Sequence, residues 1–456
     1  MAKIVVIGAG LTGISTAYHL EQKGFYDYKV FEKESNIGGL CRSVEQDGFT
    51  FDFTGHLLHT SDPYFRSLIE DVVGLENMHA IQRRSFVYSQ HTFTPFPYQI
   101  NLHGLPTQTI AECIEGFITR PKSSAAPKTF YQWVLQNFGA GFGKHFFFTY
   151  QKKIFAYDVR KITASWTGRF VPSTSLEQII DGVIGNIADQ QIGYNSQFLY
   201  PKQGGIITWV ATLADQLLNP VYTNFCVDSI DVAEKIVHFT NGHAEAYDHL
   251  ITTMPLDRLL GLIKEPSSTS MHKAADKLLC NSVVNFNLGV ARENLSDKHW
   301  IYFPEEKYPF YRIGFPHNFA PAMAPQGCSS LYGEFAHIKK SGKVVDEQLK
   351  TSLATTKKLL NISEREILTE RVIHIPHAYV IYDFWREKEL PKLHKKLNEY
   401  QIFSIGRYGE WKYSSMQEAV LDGKKIAEQL LFIPATTTSF VEYLEHPIKE
   451  RETVHE

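Results

Sequence analysis

The stretch FDFTGHLLHTSD (Phe51–Asp62) places His56 and His59 three residues apart, beside a glycine and between two aspartates. That spacing admits three chemistries: a metal site, an acid–base pair, or packing beside a bound group. A metal would need further ligands and a fixed outer shell. No neighbouring ligand cluster occurs in the sequence, so no metal is expected. A second chemistry is carried by Gly8, Gly10 and Gly13 in IVVIGAGLTG. Glycines so spaced let the backbone approach a pyrophosphate at a helix N-terminus. An acid closing the next strand, here Glu32, accepts hydrogen bonds from a ribose diol. A third is Arg312 in the apolar run PFYRIGF, where an unpaired guanidinium would be costly.

These residues need elements to hold them. Lys3–Ile7 reads as a buried strand. Ile14, Ala17, Tyr18 and Leu20 form one face of a helix that Gly24 ends, and Tyr28–Phe31 is a second strand closing on Glu32. The glycine motif therefore sits between strand and helix, the context that reads as dinucleotide binding. A tight turn without a ligand is the alternative. Gly38 and Gly39 follow so closely that a second backbone approach to phosphate or ribose is expected, with Leu40 and Cys41 next in line. Cys41 reads as a small buried thiol.

Bulk properties bound the rest. A chain of 456 residues is too long for one ordinary core. With 43% hydrophobic and 21% charged residues it reads as a soluble globular protein. A net charge of −3 provides no basic field, so neither nucleic acid nor a membrane is expected as a partner. The N-terminal apolar run is short and interrupted by glycines, unlike a signal peptide, and no run approaches the ~20 apolar residues of a membrane span. Five scattered cysteines without a CxxC pair fit a reducing cytoplasm. The 13% aromatic content suggests a large planar or ring-shaped ligand, bulky core packing being the alternative.

The Gly38–Gly39 pair resembles the second glycine motif of FAD-dependent amine-oxidase-type flavoproteins. LITTMP (250–255), after the strand-rich stretch 221–242, resembles the strand that returns to their FAD domain, and brings Val227 and Thr253 to the cofactor. FSIGRYGEW (403–411) resembles their last FAD motif. There Gly406 and Arg407 would meet the pyrophosphate, and a helix starting near Met416 would aim at the flavin. The implied fold is α/β: a discontinuous Rossmann-type FAD-binding domain with a helical insert and an antiparallel β-sheet substrate domain. The expected division is FAD-binding at 1–95, 196–265 and 399–432, mainly helical at 96–195, β-sheet at 266–398, and a helix or tail at 433–456.

Further stretches, in order along nearly the whole chain, resemble UDP-galactopyranose mutases. GGLCRS and the histidine loop come first, then PFPYQ (95–99), YQKKIF (150–155), YFPEE (302–306), PFYR (309–312), HAY (377–379) and GRYGEWKY (406–413). The resemblance implies a cytoplasmic flavoenzyme of galactofuranose and polysaccharide biosynthesis. It interconverts pyranose and furanose forms of a nucleotide sugar, the reduced flavin attacking the anomeric carbon through N5 without net redox change, with NADPH or NADH as reductant. It implies Arg312, Tyr302, Tyr379 and Tyr413 at the diphosphate, Tyr150 stacking on the base, Phe155 beside the sugar, Phe96 and Gln99 near the nucleotide, and His56 and His59 beside the flavin. Three departures stand out. Phe155 replaces a tryptophan. In WTGRFVP (166–172) the aligned arginine position holds Phe170, with Arg169 one residue earlier, so Arg169 is the candidate second cation. Ser415 stands where bacterial members have an aspartate. These departures leave the base and sugar open. An amine-oxidase or desaturase-type oxidoreductase and a non-catalytic flavoprotein are the other readings. Oligomeric state is undetermined.

Overall fold

The computed structural model describes residues 3–168, 171–185, 196–264 and 269–432. At its centre lies Ile4–Ile7, buried at every position. A strand covered on both faces needs such a continuous apolar run. Tyr28–Phe31 pairs parallel on one side, with Phe31 opposite Ile7, and His249–Thr252 on the other, with Thr252 opposite Ile7. Val221–Tyr222 and Ile402–Ser404 form the edges of this five-stranded sheet. Its strands thus come from the start, middle and end of the chain, the discontinuous Rossmann-type arrangement the motifs imply. The helix Leu11–Gln22 packs on the last helix, Met416–Phe432, where Ser15 Oγ donates to the Val420 carbonyl at 2.8 Å. Gly423 permits this approach, since a Cβ there would lie 2.7 Å from Thr16 N.

A helical layer follows, built from Thr107–Ile118, Phe130–Asn137 and Phe148–Phe155 among others. Phe130, Phe138, Phe142, Phe146 and Phe147 are buried together in its core. The π-helical turn Gly143–Phe147 precedes Phe148–Phe155 and rotates the later residues relative to a regular helix.

The third layer is a seven-stranded sheet. Its order is Ile367–Ile375, Ser282–Val290, Ser329–His337, Arg312–Gly314, Trp300–Tyr302, Ser85–Ser89, Thr92–Pro95. Two features differ from the sequence expectation. Ser85–Ser89 and Thr92–Pro95 were expected in the first FAD-binding segment, yet Ser85–Ser89 pairs parallel with Trp300–Tyr302. The stretch 266–398 was expected as β-sheet, yet Gly342–Leu359 is a helix. Its mostly polar surface masks a narrow stripe, Val345, Leu349 and Leu353, that packs with Val284, Phe286 and Leu288 of the sheet. The expected C-terminal helix or tail, 433–456, lies outside the described residues. Among the described residues no helix is long and apolar enough to cross a membrane.

Candidate functional site

The register of the seven-stranded sheet builds one wall. Tyr302 lies opposite Arg312, Arg312 opposite Glu334, and Glu334 opposite Asn285. Cross-strand partners share a face, so residues far apart in sequence form one row. Arg312 Nε and Nη2 each donate to Glu334 at 2.9 Å, a bidentate pair. Glu334 is fully buried. Burial opposes the Arg312 charge, but the Glu334 carboxylate more than restores it and holds its pKa well above the ordinary value. Arg312 thus lines the cavity as half of a neutral pair. The sequence reading missed Glu334, although SSLYGEFAH shows a lone acid in an otherwise uncharged strand.

A second wall comes from the C-terminal segments. The rings of Tyr379 and Tyr413 stack 6.3 Å apart at 11°. Tyr379 N–H donates to Asn281 Oδ1 and Tyr413 N–H to the Tyr382 hydroxyl. Burial pushes the Tyr379 hydroxyl up to about 12 against the pull of Arg312, so it remains a neutral donor at pH 7. Arg407 lines the same cavity as the glycine turns. Gly406 does sit at the first helix, where a Cβ would lie 2.8 Å from Thr12 Oγ1. The Arg407 guanidinium, however, is held in the tyrosine cluster, 5.4 and 5.1 Å from the Tyr379 and Tyr413 centroids. Its Nη1 donates to the Ser414 carbonyl at 2.6 Å and its Nη2 to that of Ala378 at 2.9 Å.

The helical layer closes the cavity from above. Tyr150 stacks on Phe146 at 5.1 Å and meets the edge of Tyr302 at 5.4 Å. Phe96 packs 5.0 Å from Tyr302, and Gln99 Nε2 donates to the Pro172 carbonyl at 2.8 Å. Phe155 lies 6.1 Å from Tyr379 and 5.4 Å from Trp166, a cavity residue the sequence reading did not single out. Arg169 and Phe170 lie outside the described residues.

The histidine loop is clamped at both ends. Asp52 accepts from Ser43 Oγ at 2.6 Å, the Tyr200 hydroxyl at 2.5 Å and Ile206 N–H at 3.2 Å. At the far end Gln417 Oε1 accepts from Asp62 N–H at 2.9 Å, and Asp62 caps the helix Pro63–Val73. His56 and His59 both line the cavity. Burial, then Arg407 and Arg312, pushes His56 down to about 4. His59 also falls to about 4, lowered first by burial and further by Arg83, while the Gln197 carbonyl opposes. Both rings are therefore neutral at pH 7. Among the described residues no group of three or more His, Cys, Asp or Glu could hold a metal ion.

The two glycine turns meet at the other end. Gly38 N–H donates to the Ala9 carbonyl at 2.8 Å, and a Cβ on Gly39 would lie 3.2 Å from Gly10 Cα. Gly8 and Gly38 have φ of +99° and +102°, which disfavour any side chain. Gly13 does not line the cavity; a Cβ there would overlap the Gly8 carbonyl, so it serves helix–strand packing. Glu32 accepts from Ala9 N–H at 2.8 Å and Glu34 N–H at 3.0 Å, which fixes its carboxylate beside the turn. Leu40, Val227, Thr253 and Met416 line the same cavity. Ser415 starts the last helix: its N–H donates to Glu418 at 2.6 Å, while its Oγ accepts from Glu418 N–H. This reciprocal cap explains a serine there.

One cavity of about 1260 Å³ joins Glu32, His56, Arg312, Arg407 and Tyr150. A single small-molecule site measures ~300–1,000 Å³, so cofactor and substrate fit together. The glycine turns at the first helix suit a pyrophosphate, and Glu32 a ribose.

Known proteins agree with this geometry. The sequence model for flavin containing amine oxidoreductases matches residues 11–431. A structure of reduced UDP-galactopyranose mutase superposes with a TM-score of 0.87 and 27% identity, covering 94% of both chains. Putrescine oxidase bound to putrescine has a TM-score of 0.63 at 14% identity, covering 94% of this chain and 99% of that one, a likeness of fold alone. A 4,4'-diapophytoene desaturase from Staphylococcus aureus is 40% identical over 62 residues, 14% of this chain; the match spans only 12% of that relative's length.

Proposed function

The chain belongs to the flavin containing amine oxidoreductases, and we propose that within that family it is an isomerase similar to UDP-galactopyranose mutase, interconverting pyranose and furanose forms of a nucleotide sugar without net redox change. FAD is the cofactor. Gly8, Gly10, Gly38, Gly39 and Glu32 would hold its adenosine diphosphate half, while Val227, Thr253, His56 and Met416 would border the remainder. Bound and reduced, it supplies the nucleophile for the anomeric carbon, so the chain need provide no Ser, Cys or Lys for that role.

The polarity of the chamber carries this reading. Arg312, Arg407, Tyr302, Tyr379 and Tyr413 line one cavity, and the buried Glu334 carboxylate is engaged by Arg312. Guanidinium and phenol donors suit a departing diphosphate, whose negative charge grows as the sugar leaves. Tyr150, backed by Phe146, offers an aromatic face for a base. His56, neutral at pH 7, adds no charge beside the reacting carbon. A cationic amine such as the putrescine of the similar oxidase would meet the guanidinium of Arg407 beside the tyrosine pair, and be repelled.

The test is direct. Dithionite-reduced protein under anaerobic conditions should convert UDP-galactofuranose to UDP-galactopyranose, many turnovers per reducing equivalent. Stoichiometric hydrogen peroxide from an amine, with no sugar isomerised, would overturn the proposal.

A further inference from the structure

The helix Phe148–Phe155 touches both walls of the chamber. Tyr150, in its first turn, meets the edge of Tyr302 at 5.4 Å, and Phe155, at its end, that of Tyr379 at 6.1 Å. Between these ring contacts its last turn makes two polar attachments, one to each wall. The Lys153 ammonium donates to the Phe303 carbonyl at 2.5 Å and to that of Glu305 at 3.1 Å. The Glu305 and Glu306 carboxylates pair instead with Lys307 and Lys152. A bond to a carbonyl holds main chain, where a bond to a carboxylate would hold only a rotatable side chain. That main chain belongs to the hairpin of the first wall. Phe303 N–H donates to the Tyr311 carbonyl at 2.9 Å, and the adjoining Tyr302 lies opposite Arg312.

Asn281 makes the second attachment. Ala156, at φ +50°, ends the helix, and the carbonyls of the last turn have no partner within it. Asn281 Nδ2 donates to one of them, that of Ile154, at 2.6 Å, while its Oδ1 accepts from Tyr379 N–H at 2.8 Å. Its own N–H donates to the Tyr379 carbonyl and its carbonyl accepts from Ala378 N–H, both at 3.0 Å. Asn281 is fully buried. A donor towards Ile154 and an acceptor towards Tyr379 require an amide, since an ionised carboxylate of the same shape has nothing to donate. Tyr379 itself lies in neither helix nor strand, so bonds of this kind have to fix its main chain. Neither Lys153 nor Asn281 lines the cavity. Each acts on a bound molecule only through the residue it holds.

We propose that the last turn of Phe148–Phe155 is the strut that sets the gap between the two walls, with Lys153 as the positioning residue for Tyr302 and Asn281 as that for Tyr379, and through them for the substrate's diphosphate. This deepens, and rests on, the nucleotide-sugar reading. Helices hold side chains more precisely than loops do, so one rigid turn gives both tyrosines a common reference.

The experiment titrates FAD-loaded, reduced protein with UDP, and bound FAD per polypeptide is measured for every variant. Asn281→Ala and Lys153→Met are each made alone, with Tyr379→Phe, and with Tyr302→Phe. Residues that act through one another couple by roughly 2- to 150-fold in such a cycle, whereas independent ones simply add. Asn281→Ala should keep its FAD and raise the Kd for UDP by at least about threefold. That effect should largely vanish in the Tyr379→Phe background and persist in the Tyr302→Phe background. Lys153→Met should show the reverse, coupling to Tyr302→Phe and adding to Tyr379→Phe. Effects of equal size in both tyrosine backgrounds, or none on UDP, would make the two residues merely structural and overturn the proposal. FAD lost from either variant, with an unchanged Kd in the loaded fraction, would move the role to the cofactor and overturn it too. Should Asn281→Ala not fold, the cycle of Lys153→Met with Tyr302→Phe decides alone: coupling supports the proposal, and additivity overturns it. Wild-type protein that does not bind UDP would end the nucleotide-sugar reading and the strut with it, whereas wild-type binding with additive cycles would end the strut alone.

Discussion

Arg312 and Glu334 show how much a single partner changes a residue's meaning. From PFYRIGF alone, an arginine in an apolar run points to an external anion. Across the sheet, Glu334 takes two of its nitrogens. Breaking a buried pair leaves one charge stranded, so Glu334→Ala should cost about 3–5 kcal/mol of stability, seen as a lower denaturant midpoint. Arg312→Ala should lower turnover by about 10²–10³-fold with flavin retained, as when a transition-state donor is removed. Near-normal turnover would remove Arg312 from the site. The resemblance to UDP-galactopyranose mutases implies His56 and His59 as flavin neighbours, and both line the cavity. How far their burial lowers both rings was not legible, nor that Arg407 and Arg312, some 250 to 350 positions away, add to it at His56.

Helices and loops carry a second set of decisions. The last helix was anticipated to begin near Met416, and it does. Ser415 looked in sequence like a lost charge near the sugar; in the fold it caps that helix together with Glu418. Ser415→Ala should therefore lower stability by about 0.5–2 kcal/mol, measurable in thermal or urea unfolding. A loss near zero would show that the cap contributes nothing. Gln417 of the same helix holds the end of the histidine loop through Asp62, so the cap also bears on where His56 stands. Gly342–Leu359 shows why its helix was missed. Only a narrow stripe of it is buried, and a weak apolar period beside strong strands reads as more of the same.

At the scale of the molecule, protonation should shape stability. His19, His56, His59 and His299 all fall to about 4, burial being the largest cause for each. The unfolded chain then binds more protons than the folded one between about pH 4 and the ordinary histidine value of 6.5. Stability should rise with pH across that window. Asp52 and Asp422, pushed up to about 6, act oppositely but are fewer. The unfolding midpoint should climb from pH 4.5 to 6.5 and level off above; a falling curve would contradict these shifts. What the sequence determined by itself was local. A glycine motif between strand and helix, Glu32 at the next strand end, and short motifs in a set order specify a dinucleotide-binding core, because turn geometry and strand burial depend on near neighbours. Only the tertiary structure decided which charges face one another. The row Tyr302–Arg312–Glu334, the seating of Arg407 between the carbonyls of Ala378 and Ser414, and the joining of Ser85–Ser89 to the far sheet depend on register between distant strands. Electrostatic pairing acts through space over a few ångströms, a separation that position along the chain does not encode.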